Sequence, residues 1–290
     1  MRDGHPPNFA DSRVPAFDRV QWNRLNSRTK PAVMRMAVVL AAAILVAFIV
    51  VPLASLFFHL EPRDIVTALQ TTAAQQALRL SIVTTFISLA ITLLLGTPLA
   101  YILDRASFPG RALVDAVVDL PIVVPPAVAG LALLLAFGRN GTFGPLFGAL
   151  GIQLSFSTAA VVMAQTFVAS PFYVRGARAG FAAVDRTLEA ASRTLGMGPL
   201  RTFAYITVPL AAPALVGAAV LCWARALGEF GATIMFAGNL QGVSQTLPLA
   251  VYLNLESGNL PVAIVLSVIL ILFSLLVVLC VHTAAARRTG

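Results

Sequence analysis

Arg225 and Glu229 stand four positions apart inside the otherwise apolar run 210–237. On a helix that spacing puts both side chains on one face. An unpaired charge in apolar surroundings is costly, so they should neutralise each other. Two chemistries fit. The pair fixes how its helix packs, or it is a gate whose Arg225 transiently offers positive charge to a dianion. Pro121, Pro125 and Pro126 pose a similar choice. None can donate a backbone hydrogen bond, so a helix through them must kink or break. The freed carbonyls would have to face protein or a water-filled cavity, which leaves open a packing kink or the lining of a path. Gly228, Gly231 and Gly238 would let helices approach closely. Hydrolytic chemistry finds no support. The single lysine, Lys30, follows no phosphate-cradling G-x-x-x-x-G-K-[ST] loop, and His5, His59 and His282 form no H-E-x-x-H pattern. No G-x-S-x-G elbow is present either. The expectation is no catalytic residue, no cofactor and no metal site. Cys222 and Cys280 read as small packing hydrophobes within helices.

The elements that must position these residues follow from composition. Hydrophobic residues make up 58% of the chain and charged ones 11%. Soluble domains carry roughly a quarter charged residues, so this chain cannot cover itself with a polar surface, and its solvent is largely lipid. Crossing the hydrocarbon core takes about 20 apolar residues in a helix. Such runs lie near 36–58, 80–103, 116–137, 157–174, 210–237 and 260–281. Membrane strands would alternate and be about half as long. The expected fold is an all-α integral membrane protein of about six transmembrane helices, with a membrane domain over 32–286.

Basic residues give the orientation, since they concentrate in cytoplasmic loops. The N-terminal segment, the 103–112 loop, the 175–208 loop and the C-terminus hold all of them except Arg63, Arg79, Arg139 and Arg225. Both termini are therefore expected in the cytoplasm. The net charge of +8 is a topology signal rather than a nucleic-acid footprint. Residues 1–31 are basic, polar and rich in proline, and they are expected to be a disordered cytoplasmic tail. An ion-coupled secondary transporter is the competing class. It usually carries internal repeats and acidic residues at the midplane. No repeat is evident between the first three spans and the last three, and the only clearly intramembrane ionisable residues are Arg225 and Glu229.

The long basic loop contains its own pattern. Thr187–Leu195 reads as a short helix capped by Asp185, ended by Gly196 and Gly198, with Pro199 opening a second one. An amphipathic connector would look like this. Yet Gly196, nine residues, Ile206, one residue and then Val208-Pro209 also keep the spacing of a known signature. The loop resembles the EAA-x3-G-x9-I-x-LP segment of permease subunits of ATP-binding-cassette importers. Counting back from Gly196, the EAA slots hold Ala190, Ala191 and Ser192, and Glu189 stands one residue early. That turns its carboxylate by about 100° around the helix. The resemblance runs over roughly 70–281. Leu120–Gly130 and Ala224–Asn239, the latter followed by Gln245-Thr-Leu-Pro248, look like the molybdate and sulfate branch, most like its molybdate members.

The resemblance implies a type I importer permease fold in a bacterial-type cytoplasmic (inner) membrane, working as a homodimer. It implies cytoplasmic ATP-binding-cassette ATPase subunits and an extracytoplasmic oxyanion-binding protein as partners, with the lipid bilayer as surroundings and no nucleic acid. The coupling loop would comprise Glu189, Ala190, Ala191, Ser192, Gly196, Ile206 and Pro209. Candidates for the path or gate are Pro125, Pro126, Arg225 and Glu229. The cargo implied is molybdate, with sulfate or tungstate as alternatives.

Overall fold

The computed structural model describes residues 30–289, with side chains over 34–279. The tail expected over 1–31 therefore lies outside the described residues, except for Lys30 and Pro31, which begin the first helix. Every regular element among the described residues is helical. In chain order these are α1 (Lys30–Phe58), α2 (Pro62–Gln70), α3 (Thr72–Arg105), α4 (Arg111–Val123), α5 (Pro126–Phe137) and α6 (Gly144–Ala149). They continue with α7 (Thr158–Ala182), α8 (Arg186–Thr194), α9 (Pro199–Thr202), a π turn at Phe203–Thr207 and α10 (Val208–Leu227). The last are α11 (Gly231–Ala237), α12 (Leu247–Glu256) and α13 (Leu260–Thr289). The chain divides after Phe58 into two compact units. The first contains α1, an apolar helix of 29 residues with Pro52 inside it. Everything else belongs to the second.

By length and composition, four helical stretches among the described residues can cross a membrane: 34–58, Thr72–Arg105, Pro199–Leu227 and Leu260–Leu279. A fifth arises if α4 and α5 are taken together, although that pair bends through 116°. The remaining expected span, near 157–174, falls in α7, whose 25 residues include Gln165, Thr166, Ser170, Arg175 and Arg178. It is less apolar for a structural reason. α7 is covered by α3, α10 and α11, so much of its surface meets protein rather than lipid.

Small residues produce that covering. Between helices in lipid there is little hydrophobic driving force, so close van der Waals packing has to hold them together. The buried stripe of α3 reads Ala74, Ala77, Ser81, Thr84, Thr85, Ser88, Thr92, Gly96, Ala100 and Leu103. At Gly96 a Cβ would come within 3.0 Å of the Tyr173 ring of α7. Polar side chains join the same two helices. The Thr97 and Tyr173 hydroxyls are 2.6 Å apart, and Thr166 donates to Ser88 at 3.0 Å. On the other side of α7, a Cβ at Gly176 would stand 2.5 Å from Cβ of Ala218, and one at Gly180 2.7 Å from that of Ala214.

The fold departs from the expected spans in four places. α3 begins at Thr72 rather than near 80, because the Thr71 hydroxyl accepts the Ala74 N–H and caps it there. The run 116–137 breaks at Val124–Pro125. α7 continues to Ala182, so the first two turns assigned to the 175–208 loop are helix. The run 210–237 is two helices, α10 and α11, and a further helix, α12, precedes α13.

Gly176→Leu should drive α10 away from α7 and destabilise the bundle by about 1–3 kcal/mol, the usual cost of overpacking. Gly217→Leu, on α10 itself but with nothing within 4 Å of its added Cβ, should leave the thermal midpoint of the detergent-solubilised protein nearly unchanged. Equal midpoints for the two variants would contradict this packing scheme.

Candidate functional site

Two groups of residues carry the sequence expectations, and local chemistry builds each one. The first is the loop after α7. The Asp185 carboxylate accepts the Thr187 N–H at 2.8 Å and starts α8. That bond, made by the backbone of Thr187, favours the charged form and holds the Asp185 carboxyl below its ordinary range. Its stabilising effect is present above the unfolded value and is lost as pH falls through the lowered one. At the other end Gly196 takes φ +87°. The N–H of Met197 bonds to the Ser192 carbonyl and that of Gly196 to the Arg193 carbonyl, a paired closure that needs the left-handed glycine. Across the elbow the buried Ser192 and Thr202 hydroxyls are 2.9 Å apart. α8 and α9 are thus fixed relative to each other before the chain enters the π turn and α10.

This geometry sorts the expected loop residues into two faces. Ala190, Ala191 and Pro209 are exposed, while Ile206 is half-buried. Leu195 and Leu200 are each 85% exposed, on a loop otherwise studded with Arg186, Arg193 and Arg201. Glu189 faces the other way and is only 4% exposed. Its Oε1 accepts from Arg105 Nη2 at 2.9 Å and from the Thr207 hydroxyl at 2.8 Å. The displacement by one residue therefore turns the acid into the protein and leaves alanines outward.

The second group lies at the two helix breaks. α10 ends at Gly228, and Glu229 stands in the gap before α11, only 1% exposed. Its two oxygens have separate partners: Oε2 meets Arg225 Nη2 at 2.7 Å, and Oε1 accepts the Ala232 N–H at 2.7 Å. Arg225 and Glu229 do pair as their spacing predicts, but not on one continuous helix. The carboxylate links the end of α10 to the first turn of α11. The other break runs through Val124 and Pro125, with Pro126 as the first residue of α5; Pro121 stays within α4. A Cβ on Gly231 would lie 2.8 Å from Pro126 Cβ, and one on Gly130 2.6 Å from the Ala232 carbonyl oxygen. The fold thus brings the second break against the first.

Asp115, Asp119, Arg175 and Arg178 were missed as partners. Arg178 meets Asp115 at 2.6 Å and Arg175 meets Asp119 at 2.7 Å, tying α4 to α7. Their spacings, four apart on one helix and three on the other, carry a signal that each set shares a face. What hid it was the placement of both arginines in a loop. Arg175 is 61% exposed, so its pair adds little stability by itself.

Asp185→Ala should speed backbone hydrogen exchange over 186–194, whereas Asp185→Asn, which keeps an acceptor, should not. Unchanged protection in the alanine variant would deny Asp185 its capping role. Arg225→Ala strands a buried carboxylate and should cost about 3–5 kcal/mol. Changing both Arg225 and Glu229 to Gln should recover most of that stability in thermal unfolding, because the Gln carbonyl can still accept the Ala232 N–H.

Residues 93–289 match the family described as binding-protein-dependent transport system inner membrane component. Over 236 residues the chain is 40% identical to the molybdenum transport system permease protein ModB of Mycobacterium bovis, covering 81% of this chain and 88% of that one. Over 221 residues it is 39% identical to the ModB permease of Escherichia coli, covering 74% and 96%. Among solved structures, a bacterial importer of the acidic polysaccharide alginate superposes with a TM-score of 0.74 at 16% identity, covering 92% of this chain and 100% of that one. The MetNI methionine transporter in an inward-facing conformation gives 0.56 at 20% identity, covering 73% and 94%. At those identities the likeness concerns the fold, that of an importer permease. By the match over 93–289 and by these relatives, the chain is a multi-pass membrane protein belonging to the binding-protein-dependent transport system inner membrane components.

Proposed function

We propose that the chain is the pore-forming permease subunit of an ATP-driven importer that carries molybdate into the cell. The observation that carries this reading is the identity of about two residues in five with permeases named for molybdenum transport, sustained over most of the chain. The chemistry agrees. With Lys30 its only lysine, the chain has no residue for a phosphate-cradling loop, so hydrolysis falls to separate ATPase subunits in the cytoplasm. An extracytoplasmic protein delivers the oxyanion, and two copies of the chain enclose the path. Both termini and the α8–α9 loop face the cytoplasm, as the distribution of arginines supports.

The α8–α9 elbow is the contact with the ATPase. Leu195 and Leu200 stand largely exposed among arginines, where lipid cannot cover them. A partner groove with an apolar floor and an acidic rim fits that surface. Ala190 and Ala191, exposed on α8, leave room for close approach. Ser192 and Gly196 keep the elbow in shape, and Ile206 and Pro209 join it to α10. The packed breaks, with Pro125, Pro126, Arg225 and Glu229, are the candidate gate. There Glu229 has both oxygens engaged, which makes it a hinge fixture, and Arg225, 27% exposed, is the member able to face a passing dianion.

Proteoliposomes containing the permease, its ATPase subunits and the binding protein should take up labelled molybdate only with ATP. Excess tungstate should compete, and sulfate should compete poorly. Uptake that survives without the ATPase and follows a proton or sodium gradient would overturn the reading in favour of a secondary transporter. Stronger competition by sulfate than by tungstate would reassign the cargo. With both Arg225 and Glu229 changed to Gln, assembly should recover. Uptake returning with it makes the pair structural, and uptake still near background places Arg225 on the path.

A further inference from the structure

Glu189 belongs to the coupling helix, yet its carboxylate is turned away from the exposed face of that helix and sits at a junction of four elements. Arg105 is the last residue of α3 and lies 84 positions earlier in the chain. Its Nη2 donates to Glu189 Oε1 at 2.9 Å and to the Val184 carbonyl, in the α7–α8 connection, at 3.3 Å. Its Nη1 donates to Asp104 at 2.8 Å. The same Glu189 oxygen accepts the Thr207 hydroxyl, at the end of the π turn that leads into α10. Arg186, at the first position of α8, reaches back to the Asp104 carbonyl at 3.4 Å. The side chains of Arg105 and Glu189 are 12% and 5% exposed, so water screens the pair little.

We infer that Arg105 is a positioning residue, and that the Arg105–Glu189 pair is a strut that makes the coupling helix move with α3. This rests on the coupling role proposed above for the α8–α9 loop. The chain itself attaches α8 only to α7 and, through α9 and the π turn, to α10. α3 has no covalent route to α8 shorter than α4 to α7. Arg105 supplies the buried charged attachment, beside the longer contact of exposed Arg186 with the Asp104 carbonyl. One Glu189 oxygen gathers the end of α3 and the start of α10, while Arg105 itself also holds the α7–α8 connection at Val184. A pair this buried does not let go gradually. Moving α8 away from α3 would leave a guanidinium and a carboxylate unmatched in a shielded site, so displacement of α8 is transmitted to α3 rather than absorbed at the joint. The π turn at 203–207 fits this geometry, since such turns set the phase of the helix that follows and place Thr207 on the carboxylate.

The test uses the complete complex in proteoliposomes and reads oxyanion uptake per ATP hydrolysed. Arg105→Gln and Glu189→Gln alone would each strand a charge, so the decisive variant carries both changes. Neutral glutamines at both positions should restore assembly with the ATPase and the thermal midpoint. Uptake per ATP should nevertheless stay down about tenfold, within the usual range of a coupling free energy. Wild-type uptake per ATP in that double variant would sink the strut and leave the pair a local stabiliser. The proposed function fails by a different sign: the wild-type complex would show no ATP-driven uptake, or a cysteine replacing Ala191 would not crosslink to the ATPase.

Discussion

A broken helix inside a bilayer has no water to satisfy its ends, and much of this structure follows from that constraint. The bundle contains two breaks, at Val124–Pro125 and at Gly228–Phe230. Proline removes a donor at the first, so fewer groups need satisfying there. At the second, Glu229 covers the exposed N–H of Ala232 and is itself charge-matched by Arg225. Placing the breaks against each other, with Gly231 on Pro126 and Gly130 on Ala232, shields both at once. A charge that looks expensive in a membrane is here the means of ending one helix and starting the next.

The same solvent explains what holds the remaining helices. Leu272, Leu275, Leu276 and Leu279 on α13 are about half exposed, facing an environment as apolar as themselves. Little is gained by moving such residues from lipid to protein, so beside buried large side chains such as Trp223, Phe181 and Phe236 the close helix contacts rely on Ala, Gly, Ser and Thr. α7 shows the consequence. It meets α10 through Gly176 and Gly180 and α3 through hydroxyl pairs, and it tolerates Gln165, buried among protein side chains, where a lipid-facing helix would not.

At the end that carries the α8–α9 loop the balance changes, because charges there can be met by water, by one another or by a partner. The arginines divide accordingly. Arg175 and Arg178 bind α4 to α7, Arg105 binds α3 to α8, and Arg193 and Arg201 remain outward beside exposed leucines. Inward and outward roles alternate within one short helix. Glu189 and Ser192 are buried, and Ala190, Ala191 and Arg193 are not. Residues one apart on a helix point about 100° from each other, so a single-position shift of the acid relative to the signature was enough to reassign it.

Read alone, the sequence determined the membrane class, the apolar runs, the capped helix from Asp185 to Gly196 and the elbow at Pro199. All of these depend on short-range chemistry: apolar run length, capping and left-handed glycine. It also marked the residues at both breaks. What it could not decide was where a run such as 210–237 stops being one helix. Apolarity is the same on both sides of Gly228, and the break depends on Glu229 finding Ala232 and on Gly231 meeting Pro126 more than a hundred positions away. Nor could it decide which arginine faces which acid. Arg105 reaches Glu189, and Arg178 reaches Asp115, only because α3, α4, α7 and α8 converge in space. Spacing along one chain assigns faces to helices. Only the packing of the helices assigns partners to those faces.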